Sequence, residues 1–123
     1  MGSETKNKPY VIIFIPALNE EGSIGNIISR IKELYGKSDL FHTDIIVVDD
    51  GSTDRTSEVA LKSGAKKIIR HPVNRGLGAS TRTGMQRAFE MGADIAVKID
   101  ADFQHDPLDI ENVVRPIIED EAD

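Results

Sequence analysis

Two aspartates two positions apart, Asp100 and Asp102 in DADFQH, follow the apolar run IAVKI (Ile95–Ile99) and form the strongest chemical element of this chain. In extended backbone, residues two apart point the same way, so both carboxylates can approach one cation. Magnesium and manganese favour oxygen ligands and keep positions open for water or phosphate. Gln104 adds a neutral oxygen that could complete the coordination. A cation held there and bridging a diphosphate would neutralise charge on a leaving group, which gives Asp100 and Asp102 a catalytic part. The pattern by itself is weak, because 12 Asp among 123 residues yield about one such pair by chance. Its place after a strand-like run raises it above the plain alternative, an acidic turn in which Asp106 caps the next helix.

Three other loops carry candidates, each after a similar run. In VVDDGSTD, Asp49 and Asp50 leave a β-branched strand and Gly51 allows the turn, while Ser52, Thr53 and Asp54 can satisfy the free N–H groups of the next helix. Helix capping does not account for two adjacent acids at the strand exit; one could accept from a nucleobase N–H or a ribose hydroxyl. In PALNEEGS, Pro16 and Ala17 can bring backbone close to a ligand, and Glu20 could accept from a ribose or base. Glu20 and Glu21 are otherwise ordinary acids at the positive end of a helix. In NRGLGASTRTG, Gly76 and Gly78 permit a tight turn before a helix N-terminus, with Arg75 and Arg82 as candidate phosphate partners or solvated surface groups. GLGAST also imitates a dinucleotide fingerprint, with Asp100 lying 22 residues past Gly78. Against that alternative, RHPVN separates the glycines from their strand and Thr81 stands where Gly or Ala is usual. His42, His71 and His105 have no triad or zinc spacing and read as turn or surface residues.

The elements that must position these loops alternate in type. Tyr10–Ile15, Ile45–Val48, Lys66–Arg70 and Ile95–Ile99 read as strands. Apolar residues at Ile24, Ile27, Ile28, Ile31 and Leu34 make 23–35 a one-faced helix, ended by Gly36. A second helix spans about 55–62 and stops at Gly64; a third spans 79–91, with Met85, Ala88 and Phe89 as core positions. Pro107 fits the first turn of a last helix that Pro116 should bend or shorten. The order βαβαβαβα predicts an α/β fold with a Rossmann-like, open, mostly parallel sheet and helices on both faces. In such a sheet ligands bind outside the carboxyl ends of the strands, so the four loops read as one site.

Composition narrows the class. The chain has no Cys, 39% hydrophobic and 29% charged residues, as expected of one ordinary globular domain. Residues 1–9 read as a polar, flexible lead-in and 10–123 as the domain. Without cysteine there are no disulfides or thiolate zinc sites. A net charge of −6 disfavours nucleic acid as a partner. No run approaches the roughly 20 apolar residues of a spanning helix.

Taken together, PALNEEGSI, VVDDGSTDRT, NRGLGASTRTGM and VKIDADFQHDP resemble, in order and spacing, the family 2 glycosyltransferases of the GT-A fold, from Tyr10 to about Val114. DADFQHDP is most similar to the dolichyl- and polyprenyl-phosphate mannosyl- or glucosyltransferases. The resemblance implies that Pro16, Ala17 and Glu20 line a nucleotide and that Val48 and Asp50 contact its base, with Asp49 beside them. It implies that Asp100, Ala101 and Asp102 meet the sugar diphosphate, with Asp100, Asp102 and Gln104 around Mg2+ or Mn2+, and that Arg82 approaches the donor. The implied reaction is inverting transfer of a hexose from a nucleoside-diphosphate sugar (GDP-mannose or a UDP-hexose) to a lipid-linked phosphate, in the cytoplasm or at its membrane face. The alternative is a nucleotide-sugar-binding module without turnover. Members of the family carry a second half, so this chain reads as the nucleotide-binding half of a longer enzyme. The edge of its fourth strand would then be open to a second copy or to further chain.

Overall fold

The computed structural model describes residues 8–102 and 109–122. The first strand, β1, runs Tyr10–Ala17, and every residue after Tyr10 is buried, as a continuous apolar run requires of a strand covered on both faces. Helix α1 (Ile24–Tyr35) leads to β2 (His42–Asp49), α2 (Thr56–Ser63), β3 (Lys67–Arg70), α3 (Leu77–Glu90), β4 (Ile95–Lys98) and α4 (Asp109–Ala122). The strands form one parallel sheet in the order β3-β2-β1-β4. The α/β architecture is the expected one, with the fourth strand beside the first on the side away from the second.

Alternate residues of β1 serve the two faces. Val11, Ile13, Ile15 and Ala17 join Ile24, Ile27, Ile28 and Ile31 of α1, Ala60 of α2, and Ile110 and Val114 of α4 in the larger core cluster. Ile12 and Phe14 join Ile46 and Ala88 of α3 on the other face.

Several details depart from the sequence reading. Pro16 and Ala17 lie in β1, paired with Val48 and Asp49, rather than in the following loop. Proline is tolerated there because the Phe14 carbonyl accepts from Ile99 N and the Ala17 carbonyl from Asp50 N. Strand alternation therefore turns Pro16 toward the β4 side, beyond the last pair, Phe14 with Lys98, where no ladder bond awaits an N–H. Met85 and Phe89 are exposed at 45% and 50%, and of the three expected core positions of α3 only Ala88 is buried. The inward stripe is Ser80, Gly84 and Ala88, because Phe14 already fills the space beneath: a Cβ at Gly84 would stand 2.3 Å from the Phe14 ring. Helix α4 continues past Pro116 rather than being shortened by it. Pro107 and Asp106 lie outside the described residues.

Candidate functional site

The carboxyl ends of β1, β2 and β4 open on one edge of the sheet, and the loops leaving them interlock through hydrogen bonds. Asn19, the described non-glycine residue with positive φ, donates its N–H to Ser52 Oγ at 2.8 Å and accepts on Oδ1 from Thr53 N at 2.9 Å. Glu20 N donates to Thr56 Oγ1 at 2.9 Å, and Arg55 N to Glu21 Oε1 at 2.9 Å. PALNEEGS is thus stapled to DDGSTD, which fixes the Glu20 backbone. Asp54 accepts from Thr56 N at 3.0 Å and so serves the start of α2, as its position predicts. Gly51 is required twice over, by a φ of +84° and because a Cβ would stand 2.8 Å from Asn74 N.

A hollow of about 240 Å³ lies at this edge, lined by Pro16, Leu18, Glu20, Leu77, Asp100, Ala101 and Asp102. Five of these are residues singled out from sequence. Leu18 and Leu77 are not; their signal is an exposed apolar side chain, 39% and 60% accessible, inside otherwise polar loops. Lys98 Nζ stands 3.8 Å from Asp100 Oδ1. Gln104 and His105 lie outside the described residues. Arg82 is exposed on α3, its Nη1 3.6 Å from where a Gly78 Cβ would sit.

The β2 exit is organised inward. Asp49 is fully buried; its Oδ1 accepts from Ser52 N at 2.9 Å, and its Oδ2 from Arg70 Nη1 at 2.8 Å and from Ser57 Oγ. Arg70 Nη2 also donates to the Ser52 carbonyl at 2.6 Å, clamping the turn to β3. Asp50, 4% exposed, accepts from His71 Nδ1 at 2.7 Å and Arg75 N at 2.9 Å on Oδ1, and from Gly76 N at 2.8 Å on Oδ2. Burial pushes the Asp50 carboxyl up, but the donors Arg75 N, His71 and Gly76 N outweigh it and hold the group below the usual aspartate value. Val48 is buried in the sheet. His71 is a correction to the sequence reading: it is 5% exposed, with Nε2 2.9 Å from Thr83 Oγ1. With Asp50 ionised, Nδ1 carries the proton it donates. The missed signal was its place directly after β3, matching that of Asp50 directly after β2.

Hard carboxylate oxygens at Asp100 and Asp102 suit a magnesium- or manganese-type cation that retains water and ligand phosphate. Among the described residues no three His, Cys, Asp or Glu side chains converge to enclose a metal, so the remaining positions would fall to such ligands. A larger open hollow of about 610 Å³ lies at the opposite end of the sheet, lined by Lys8, Tyr10, Asp44 and Lys66 among others. Its chief polar contact is structural: Tyr10 donates to Asp44 at 2.5 Å, and burial followed by that carboxylate pushes the phenol up to about 12.

An open parallel sheet with acids and glycines gathered at its carboxyl edge defines an α/β class of fold that takes ligands at that edge. The family model for glycosyl transferase family 2 matches residues 12–123, and the chain belongs to that family. It is 37% identical, over 89% of its length and 48% of the relative's, to the UDP-N-acetylglucosamine--dolichyl-phosphate N-acetylglucosaminyltransferase of Methanococcus voltae. It is 35% identical to the dolichol-phosphate mannosyltransferase of Pyrococcus furiosus, over 87% of this chain and 30% of that one. Among solved structures it resembles glucosyl-3-phosphoglycerate synthase from Mycobacterium tuberculosis in complex with Mn2+, UDP and glucosyl-3-phosphoglycerate. There the TM-score is 0.70 and the identity 31%, over 89% of this chain and 40% of that one. The chain spans less than half the length of these relatives. Among the described residues no helix is long and apolar enough to cross a membrane.

Proposed function

We propose that this chain carries the donor site of a metal-dependent, inverting glycosyltransferase that moves a hexose from a nucleoside-diphosphate sugar to a polyprenyl phosphate. The observation that carries the reading is the convergence of Glu20 from the first loop with Asp100 and Asp102 from the end of β4 around one hollow. The names of the two lipid-phosphate glycosyltransferases support the acceptor class, and the Mn2+ and UDP of the solved synthase support the donor and cofactor class.

Pro16, Ala17 and Glu20 line the nucleoside, with Glu20 accepting from ribose or base. Val48 and Asp50 meet the base; Asp50 Oδ2 accepts one bond from Gly76 N and has capacity for a second, from a base N–H. Asp49, with both oxygens engaged, holds the strand end beside them. Asp100 and Asp102, with Gln104 as the ligand expected from sequence, would hold Mg2+ or Mn2+, and the Ala101 backbone would lie beside the sugar diphosphate; the cation would supply charge neutralisation to the departing nucleoside diphosphate. Arg82 approaches the donor from α3. A phosphate acceptor with a second pKa of about 6 is already anionic near neutrality, so the reaction needs no dedicated general base from these residues.

Calorimetric titration of UDP-glucose, UDP-GlcNAc and GDP-mannose, with and without Mn2+, tests this. One donor is expected to bind in a metal-dependent manner, with binding weakened at least tenfold in Asp102→Ala, the loss of a charge-assisted contact of about 1.5–3 kcal/mol. Absence of binding by every donor would sink the reading. Donor binding without transfer or donor hydrolysis would leave a binding module.

A further inference from the structure

Ser23 occupies the N-cap position of α1, where a serine side chain ordinarily accepts from a first-turn amide, and makes no such bond. Its hydroxyl is committed elsewhere: Oγ stands 2.8 Å from Glu20 Oε2 and 2.6 Å from the Ala101 carbonyl oxygen. An ionised carboxylate and a carbonyl are both acceptors, and a hydroxyl has one proton to give. Ser23 can therefore satisfy only one of them at a time. The two competitors belong to the two halves of the candidate site. Glu20 lies in the first loop, its backbone pinned by Thr56, and Ala101 lies between Asp100 and Asp102.

We propose that Ser23 is a positioning residue that couples nucleoside binding at Glu20 to the set of the Asp100–Asp102 turn. This rests on the donor-site reading above. While the hollow is empty of ligand, the Ser23 proton is divided between the Glu20 carboxylate and the Ala101 carbonyl. A ribose hydroxyl or base N–H that donates to Glu20 draws off negative charge from the carboxylate, weakens its hold on the Ser23 proton and shifts that proton toward Ala101. The turn carrying both carboxylates then gains a full hydrogen bond to the first loop, and its cation affinity rises. Linkage makes the effect reciprocal: a cation that orders the turn tightens nucleoside binding by the same factor. One hydrogen bond of ordinary net strength sets the coupling at roughly two- to tenfold.

The test separates this coupling from the direct bridge that a diphosphate makes to a cation, by using nucleosides without phosphate. Free Mn2+ is followed by electron paramagnetic resonance as the 123-residue chain is titrated, with and without uridine or guanosine. The wild-type chain is expected to bind Mn2+ roughly two- to tenfold more tightly with one of the nucleosides present. Ser23→Ala should bind Mn2+ with that gain abolished, and Ser23→Thr, which keeps the hydroxyl, should restore it. Circular dichroism establishes that both variants are folded. A metal-free readout accompanies it: amide exchange in the Asp100–Asp102 turn should slow on adding nucleoside in the wild type and not in Ser23→Ala. Undiminished coupling in Ser23→Ala overturns the proposal. So does a wild-type chain that binds a donor sugar nucleotide in the titrations above while its Mn2+ affinity ignores nucleosides; that result leaves the donor site standing. A chain that binds no donor and no nucleoside removes both.

Discussion

Asp50 shows how a residue singled out in the sequence can owe its position to partners that no local pattern reveals. The adjacent acids at the exit of β2 are visible in VVDDGS; what they touch is not. The donors to Asp50 come from His71, Arg75 and Gly76, 21, 25 and 26 residues downstream, and reach it because β3 pairs with β2 in register to Arg70. An asparagine there would turn an amide N–H2 toward a group that also donates, so at least one of the three bonds is replaced by a donor–donor contact, even where Gly76 N keeps its second acceptor, Asn74 Oδ1 at 3.0 Å. Asp50→Asn is therefore expected to lower stability by about 1–3 kcal/mol, measured by urea unfolding at neutral pH. The acid limb should change too. A carboxyl whose folded pKa is depressed contributes stability in full above its unfolded value of about 3.9, and loses it as pH falls through the folded value. Wild-type stability should thus decline with pH below about 4, with a shallower slope in Asp50→Asn; equal slopes in the two proteins would assign the acid dependence to other groups, Asp54 first among them, whose carboxyl Thr56 and Glu21 also hold low against its burial.

Among the elements, β1 and the second half of β2, Ile45–Val48, were legible because they are continuous apolar runs that only burial on both faces explains, whereas the polar start of β2, His42 to Asp44, was not. Helix α1 was legible for a different reason, its single apolar stripe of isoleucines. The inward face of α3 was not. Size suggested Met85 and Phe89, but the sheet presents Phe14 to that helix, and close approach selects the small residues Ser80, Gly84 and Ala88. Which partner a helix meets is a tertiary fact, and hydrophobicity alone ranks the large residues first. The competition can be measured at Gly84. Alanine in a helix interior gains roughly 0.5–1 kcal/mol over glycine, whereas forcing a methyl into a packed core costs about 1–3 kcal/mol. With a Cβ only 2.3 Å from the Phe14 ring, the packing term should win. Gly84→Ala is expected to be destabilised in thermal unfolding, and the double variant Gly84→Ala with Phe14→Leu to recover part of the loss. A Gly84→Ala protein as stable as the wild type would mean that the helix can lift off the sheet at little cost.

At the scale of the whole molecule, the order β3-β2-β1-β4 leaves two strands, among the described residues, with one unpaired side each, and the two are defended unequally. Lys67 begins β3, directly after Lys66, so that edge carries charge that discourages strand addition. In β4, IAVK, only Lys98 is charged, and all four residues are partly buried. Ile99 N donates inward to Phe14, so by alternation Val97 also faces β1 while the N–H groups of Ala96 and Lys98 face outward. Two copies can satisfy those groups by pairing β4 with β4, an isologous contact that closes on itself. Sedimentation velocity across a wide concentration range is expected to show reversible dimers. Ala96→Pro, which removes one outward N–H and leaves the inward ladder bonds of Val97 and Ile99 in place, should shift the equilibrium toward monomer. A wild-type chain that stays monomeric at the highest concentration would show that Lys98 and the twist of the sheet suffice to protect this edge. Dimers that persist in a folded Ala96→Pro protein would place the contact elsewhere, on the exposed Met85 and Phe89 face of α3 or on Val113 and Ile117 of α4.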